Sequence, residues 1–426
     1  MKKLNSTGSR VPVFSGDFWG KLKKKAQRRQ LGMYQGFLKE AMCFYNKSVG
    51  EYRQLHKIAE KGLQLPKTLF FVKERLREMG ADYFDCSGGV VTVLGQGEGC
   101  VLLRADMDAL PMREETDLEY RSDNGNMHAC GHDMHTAMLI SAARLIMSRE
   151  RELSGRVALC FQPGEETLEG AKGMIEDGLL EQVRPSAAVM IHVLTGCDYK
   201  TGTVIIPPEG VGAAGADFFR VTVKGFGCHG ASPHLGRDPI LCASHIICAL
   251  SEIMSREILV SGEAMSVGHI RAGDAANAIP DTAVFSGTLR SYNEDTRAFI
   301  KERLVSVCGG IASALRCEAV VDFTSGCPSF LNASELVNAC AEIFGEAKPP
   351  CVVLPKGTRG GGSEDFSYVS RRVPSVMLAL AAGERARGYT EPLHSPKASF
   401  DEAALPFGAA AYASAAISLL KKPSGS

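Results

Sequence analysis

The sequence predicts an α/β fold: a mostly parallel sheet with helices on both faces, interrupted by a separate α+β unit. Two observations predict it. Short apolar strands alternate with helices up to about Pro207-Pro208, and that style returns from about Cys317. Between those points the strands alternate in polarity and the helices lengthen. The first texture suits strands buried on both faces, the second a sheet with one solvated face. A length of 426 residues is enough for two or three domains.

Taken in order, Lys67 to Met79 reads as a helix, with Leu69, Val72, Leu76 and Met79 on one face and Gly80 as its stop. Val90 to Leu94 and Cys100 to Ala105 read as strands, and Thr136 to Met147 as an apolar, Ala-rich helix. Val157 to Phe161 is a buried strand, Gly170 to Asp177 a helix, and Ala187 to Val193 another buried strand. In the inserted unit Phe219 to Val223, Ser266 to Arg271 and Thr282 to Ser291 read as strands, with helices over Ile240 to Met254 and Asp295 to Leu315. Leu336 to Phe344, Val376 to Ala381 and Ala403 to Leu420 then read as helix, strand and closing helix. No fixed-period repeat occurs, which excludes a solenoid.

Composition narrows the function. Apolar residues make up 45% of the chain and charged residues 23%, close to a typical globular protein. No unbroken apolar run approaches the ~18 residues of a membrane span. Lys plus Arg and Asp plus Glu are both 48, so the global basic footprint of a nucleic-acid binder is absent. The N-terminus is locally basic, with Lys2, Lys3, Arg10, Lys21, Lys23, Lys24, Lys25, Arg28 and Arg29 against Asp17. No apolar segment follows these charges, so a signal peptide is not expected; a solvated tail is. The 14 cysteines are scattered, often in apolar segments, and form no CxxC. They read as reduced, buried small side chains, and a reducing cytoplasm is the expected compartment.

The chemistry concentrates at a few positions. Met127 to His135 (MHACGHDMH) immediately precedes an apolar helix. Cys130 and His132 can reach one metal from a tight loop, with Gly131 removing bulk between them. Glu165 and Glu166 follow the strand ending at Phe161, where an α/β sheet places its ligands. One of an adjacent carboxylate pair can hold a metal while the other moves a proton. His192 ends another apolar strand, and His394 sits in the loop Leu393-His394-Ser395-Pro396. Asp108, in Arg104 to Pro111, is placed to hydrogen-bond a ligating histidine and set its tautomer. Each signal alone has a plain structural explanation. Together, a thiolate, three imidazoles and a carboxylate suffice for two metals, the equipment for amide hydrolysis. Gly360 to Phe366 (GGGSEDF) lacks the GK[ST] ending of a phosphate loop.

These motifs, in this order, resemble the M20 metallopeptidase family, in particular its amidohydrolase branch. The resemblance runs from about Arg53 to the last helix. It implies a site for two divalent ions (manganese, zinc, cobalt or nickel) held by Cys130, His132, Glu166, His192 and His394, with Glu165 as general base and Asp108 as supporting acid. It implies that residues 207–322 form a lid that pairs two subunits, with residues 1–47 as a basic extension and 48–206 plus 323–426 as the catalytic domain. Within the lid, GFGCHGASPH carries His229, which helps polarise the scissile carbonyl, often in the partner's site. GDAANAIPD carries Asn277 and GTLRS carries Arg290, both expected on the substrate; an Arg can grip a carboxylate with two parallel hydrogen bonds. GGGSEDF resembles a glycine-rich turn near the substrate. Ala59 stands where relatives usually have proline, and Cys228 where a glycine is common. The implied activity is hydrolysis of an N-acyl amino acid or a related small amide, with a dipeptidase or carboxypeptidase, or a non-catalytic metal-dependent binding protein, as alternatives. A small-molecule substrate and a homodimer are the implied partners, with no nucleic acid and no membrane.

Overall fold

A computed structural model describes residues 32–259, 262–345 and 347–420. The basic stretch of the N-terminus lies outside the described residues. Residues 32–43 form α1, followed by α2 (Tyr45–Ile58) and α3 (Pro66–Glu78). Then come β1 (Tyr83–Cys86), β2 (Gly89–Leu94), β3 (Cys100–Asp106), α4 (His132–Met147) and β4 (Arg156–Gln162). Short α5 (Gly170–Glu176) and α6 (Leu179–Val183) precede β5 (Ala187–Leu194) and β6 (Val204–Ile206). Past Pro207-Pro208 lie β7 (Gly210–Ala213), β8 (Gly215–Lys224), β9 (Cys228–His229), α7 (Pro239–Glu252), β10 (Ala264–Ala272) and β11 (Ala278–Ile279). They continue into β12 (Thr282–Ser291), α8 (Glu294–Ala314), β13 (Glu318–Cys327) and β14 (Phe330–Asn332). The chain ends with α9 (Ser334–Phe344), β15 (Val352–Val353), α10 (Ser367–Ser370), β16 (Ser375–Ala381) and α11 (Leu405–Leu420).

The first sheet has eight strands in the order β1-β2-β4-β3-β5-β16-β6-β15. Its centre is parallel: β4, β3, β5 and β16 run side by side in one direction. The flanks depart from the parallel expectation, because β2 meets β4 and β6 meets β16 antiparallel. A two-residue turn between β1 and β2 leaves no room for a crossover, so that pair is antiparallel too. Successive residues of β3 face opposite cores. Val101 and Leu103 join the cluster under α1, α2, α4, α9 and α11; Cys100 and Leu102 join the one under α5, α6 and α10. Helices therefore cover both faces, as expected for a central parallel sheet.

The core begins earlier in the chain than position 48. Tyr34, Phe37 and Ala41 of α1 are buried, and Tyr34 meets Phe344 edge to face at 5.5 Å. The stretch Glu402–Leu420 is long and apolar enough to cross a membrane, and 78% of an 18-residue window of it is buried within the fold. It packs on α4, β3 and β5 as a core helix.

The second sheet has four strands in the order β10-β12-β8-β13, all antiparallel. Phe219, Val221 and Val223 of β8 point to one face, where α7 and α8 cover them. Both helices start on capped ends. The Asp238 carboxylate accepts from the N–H groups of Ile240 and Leu241, and Asn293 Oδ1 from that of Thr296. β13 runs on to Cys327, past the expected boundary at 322, because it stays paired with β8 to Ala216.

A buried ion triad ties α2 to α4. His56 bonds Asp133 through Nδ1 at 2.6 Å and Glu114 through Nε2 at 3.1 Å. Both partners are carboxylates, so both ring nitrogens carry protons. Burial pulls the imidazole pKa down, but the two carboxylates outweigh it and hold His56 at about 9. A raised pKa stabilises the fold fully below the ordinary value of 6.5 and is lost as pH rises through about 9. At 1.36 kcal/mol per unit this is worth about 3 kcal/mol. The unfolding free energy of the parent should therefore fall by about that amount more than that of His56→Gln between about pH 6 and pH 9.5. Parallel pH profiles from denaturant titration would contradict it.

Candidate active site

The site is assembled from strand ends. β3 and β4 are in register, Asp106 beside Gln162, and β5 lies on the other side of β3. Their carboxyl ends open together: the chain leaving β3 and β4 carries Asp108 and Glu165 with Glu166, and His192 lies near the end of β5 itself. The N-terminus of α4 adds Cys130 and His132, and the loop before α11 adds His394.

Cys130 is the centre of the cluster. Its sulfur lies 3.4 Å from His192 Nε2 and 3.3 Å from His394 Nε2. His394 Nε2 is 3.5 Å from Glu166 Oε1, and His132 Nε2 is 4.0 Å from both Glu166 and Glu165. Gly131 makes the tight entry to α4 possible. Its φ is +84°, and a Cβ there would come within 2.4 Å of the Val193 side chain. His394 adopts φ +64°, a left-handed conformation costing a non-glycine residue roughly 1–3 kcal/mol. Its N–H is held by the Ala129 carbonyl at 3.0 Å. With that bond made, the imidazole stands over Cys130.

Backbone carbonyls orient the ring nitrogens. His132 Nδ1 donates to the Asp108 carbonyl at 2.8 Å, and His192 Nδ1 donates to that of Val193 at 2.8 Å. In the neutral rings both Nε2 lone pairs then face the cluster. The backbone oxygen of Asp108 sets the His132 tautomer, and an oxygen of its carboxylate stands 3.7 Å from the same ring nitrogen. The carboxylate accepts from the N–H groups of Glu165 and Glu166, at 2.9 and 3.1 Å. It holds the turn that presents both glutamates.

Burial raises the Cys130 thiol pKa, but His192 and His132 outweigh it and hold the group well below its ordinary value, as a thiolate. Burial lowers the His192 pKa, and the thiolate lifts it back to about 9. Glu165 is pushed well up by burial, then by Glu364 and Glu166. His132 Nε2 and Glu166 Oε1 are buried without a hydrogen-bond partner. A thiolate, facing lone pairs and unsatisfied buried polar atoms at one point fit a soft-to-borderline divalent cation. Protons on the imidazoles balance the charge otherwise, and cation and proton compete for the same lone pairs.

Several functional neighbours went unassigned in the sequence. Arg104, 1% exposed, binds Asp106 at 2.7 Å, Glu364 at 2.9 Å, Asp365 at 3.0 Å and Gln162 at 3.0 Å. Glu165, Glu364 and Asp365 offer oxygens within 4.8 Å of one another. His135 accepts the Val193 N–H at Nε2 and donates from Nδ1 to Asp106 at 2.6 Å. Burial holds its pKa down at about 4, so it is a neutral brace. The signal available for these residues was a charged pair, Arg104 and Asp106, ending an apolar strand.

The cluster opens into a chamber of about 800 Å³. Arg290 and Phe218 reach it from the second sheet, with the guanidinium 5.5 Å over the Phe218 ring. No acid among the described residues pairs with Arg290. His229 and Asn277 do not line this chamber. They are neighbours on the exposed β9–β11 ribbon, where Gly230 N–H bonds the Asn277 carbonyl at 2.8 Å.

Residues 102–418 match the description Peptidase family M20/M25/M40. The chain belongs to this family. It is 36% identical over 381 residues to an IAA-amino acid hydrolase of Arabidopsis thaliana, covering 88% of this chain and 86% of that one. It is 35% identical to an N-acetyl-L-cysteine deacetylase of Bacillus subtilis, covering 84% of each. A solved Bacillus subtilis structure, described as a dinuclear metal binding peptidase of the M20 family, superposes with a TM-score of 0.72 at 29% identity, over 89% of this chain and 99% of that one. Its relatives place the chain among M20 hydrolases of amide bonds, in the amidohydrolase branch, and the α/β domain with its inserted sheet is the architecture expected of that branch.

Proposed function

We propose that the chain hydrolyses N-acyl amino acids to a carboxylic acid and an amine, with Cys130, His132, Glu166, His192 and His394 holding a pair of divalent cations. One observation carries the reading: these five donors converge beside Glu165 at a chamber that Arg290 also lines. When bound, the cations polarise the amide carbonyl and let a water lose its proton near neutral pH. Glu165 takes that proton and passes it to the leaving nitrogen. Asp108 fixes the Glu165–Glu166 turn throughout, and Arg290 grips the substrate carboxylate.

His229 and Asn277 would serve from a second copy, with residues 207–322 acting as lid and dimerisation unit. Two features support this. Neither residue lines the chain's own chamber, and β10 is a sheet edge with Ile270 51% exposed. The Ala231 N–H donates to His229 Nδ1 at 3.0 Å, so the neutral ring carries its proton on Nε2, ready to donate to a carbonyl oxygen.

An N-acyl group is favoured over a free α-amino group. Beyond Glu165 and Glu166, the acid lining the chamber is Glu364, and its oxygens are engaged by Arg104 and the Phe366 N–H. The test measures amine release from N-acyl amino acids and dipeptides with manganese, zinc, cobalt or nickel supplied in turn. N-acyl substrates should turn over faster. Chelation to verified metal loss should abolish turnover, and restoring the ion should return it; full activity in metal-free protein would overturn the reading.

A further inference from the structure

The wall of the chamber beside the cluster is built from carbon. Ala379 and Met377 of β16, Ile205 of β6, Pro207 and Leu354 form one continuous apolar surface. Sheet pairing makes it continuous: Ile205 lies opposite Ala379, and the chain leaving β15 is tied back through the Leu354 N–H to the Ile206 carbonyl at 2.9 Å. The surface starts next to His192, which is the register partner of Ala379. Arg290, which no acid among the described residues pairs, lines the chamber with Phe218 from the second sheet, and Arg359 lines it as well. A chamber of about 800 Å³ falls in the range of roughly 300–1,000 Å³ that encloses ligands well beyond acetyl size.

We infer that this wall is the acyl subsite and that it selects bulky, uncharged acyl groups, medium-chain or aromatic, over acetyl. The inference rests on the N-acyl amidohydrolase reading and extends it to the substrate class. Two groups compete for the chamber, and their chemistry sorts them. The carboxylate of the amino acid needs Arg290 and goes to the lid side. The acyl chain gains by leaving water and goes to the strand wall. An acetyl group would leave most of that wall facing water. Each methylene added to the acyl chain should raise kcat/KM about fourfold until the wall is covered, the factor expected for burying one CH2.

The test uses the metal-loaded, full-length protein and one amino acid acylated with acetyl, butanoyl, hexanoyl and benzoyl groups. A hexanoyl-to-acetyl kcat/KM ratio of about 100 or more is expected. Leu354→Ala and Met377→Ala should each reduce that ratio severalfold. As a measure independent of turnover, hexanoate should bind Glu165→Ala protein more tightly than acetate by calorimetry, and this difference should also shrink in the wall variants. A flat acyl profile, or a preference for acetyl, with amine still released would overturn the inference and leave amide hydrolysis standing. Ratios unchanged in both wall variants would overturn the assignment of this surface. Absence of release from every acyl amino acid by metal-loaded protein would overturn the underlying reading as well.

Discussion

Glu165→Ala is expected to lower kcat by about 10³-fold while metal content and KM stay near parental values. The argument is geometric. Glu165 is 7% exposed, its N–H is fixed by Asp108 at 2.9 Å, and its carboxylate lies 4.0 Å from His132 Nε2, at the edge of the donor set. The five donors converge without it. Removing its side chain therefore deletes the group that moves protons and leaves the cation site in place. Glu165→Gln keeps the size and hydrogen-bonding capacity but not the basicity, and should lose nearly as much. Steady-state kinetics with metal analysis on the same preparation checks this. A variant that loses its metal, or that retains kcat within about tenfold, would remove Glu165 from the role of proton carrier.

Arg104→Met should cost about 3–5 kcal/mol of folding stability, the usual consequence of leaving buried charge uncompensated. Arg104 neutralises Asp106, Glu364 and Asp365 at one point, and its own carbonyl accepts from the Tyr412 hydroxyl at 2.7 Å. Without the guanidinium, several carboxylates face one another in a dry interior and must take up protons. Arg104→Lys should be nearly as damaging, since one ammonium cannot reproduce the guanidinium fork spread over three acids and Gln162. Denaturant unfolding of the metal-loaded protein is the measurement. A stability within about 1 kcal/mol of the parent would mean that the acids do not depend on this cation. The effect should reach the chemistry too, because Glu364 and Asp365 lie against Glu165.

Much of the site was legible before the fold was known, because ligand chemistry is written in residue type. Glu165, Glu166 and His192 lie at or just past apolar strands, Cys130 and His132 at the entry to an apolar helix and His394 in a loop, and the structure brings all six together. Arg290 reaches the same chamber. The supporting layer was not legible. Arg104 lies 260 residues from Glu364, and no local pattern signals such a pairing. His135 looked the same on paper as His132, yet one faces the cluster and the other braces β5 through the Val193 N–H. The two rings share one face of α4 and stack at 5.4 Å, so what separates their roles is the distant groups each one meets. Asp108 was recognised as a supporting acid, but which of its oxygens supports which residue depended on a turn whose shape only the folded chain defines.

The elements follow the same division. Thr282–Ser291 forms as read, and the central strands differ by a residue or so at their ends, because period and burial are local properties of the chain. The helix at 32–43 and the strands β6, β7, β14 and β15 escaped reading. They are short or lack a strong pattern, and their partners are supplied from elsewhere. The sequence by itself determined the residue chemistry, the order of the motifs and the alternation that calls for an α/β sheet with an inserted unit. Tertiary structure alone decided which strands lie antiparallel, which imidazoles face the cluster, which acids share Arg104, and that the apolar wall adjoins the donors. Those outcomes depend on contacts between distant segments, and such contacts exist only once the chain has closed on itself.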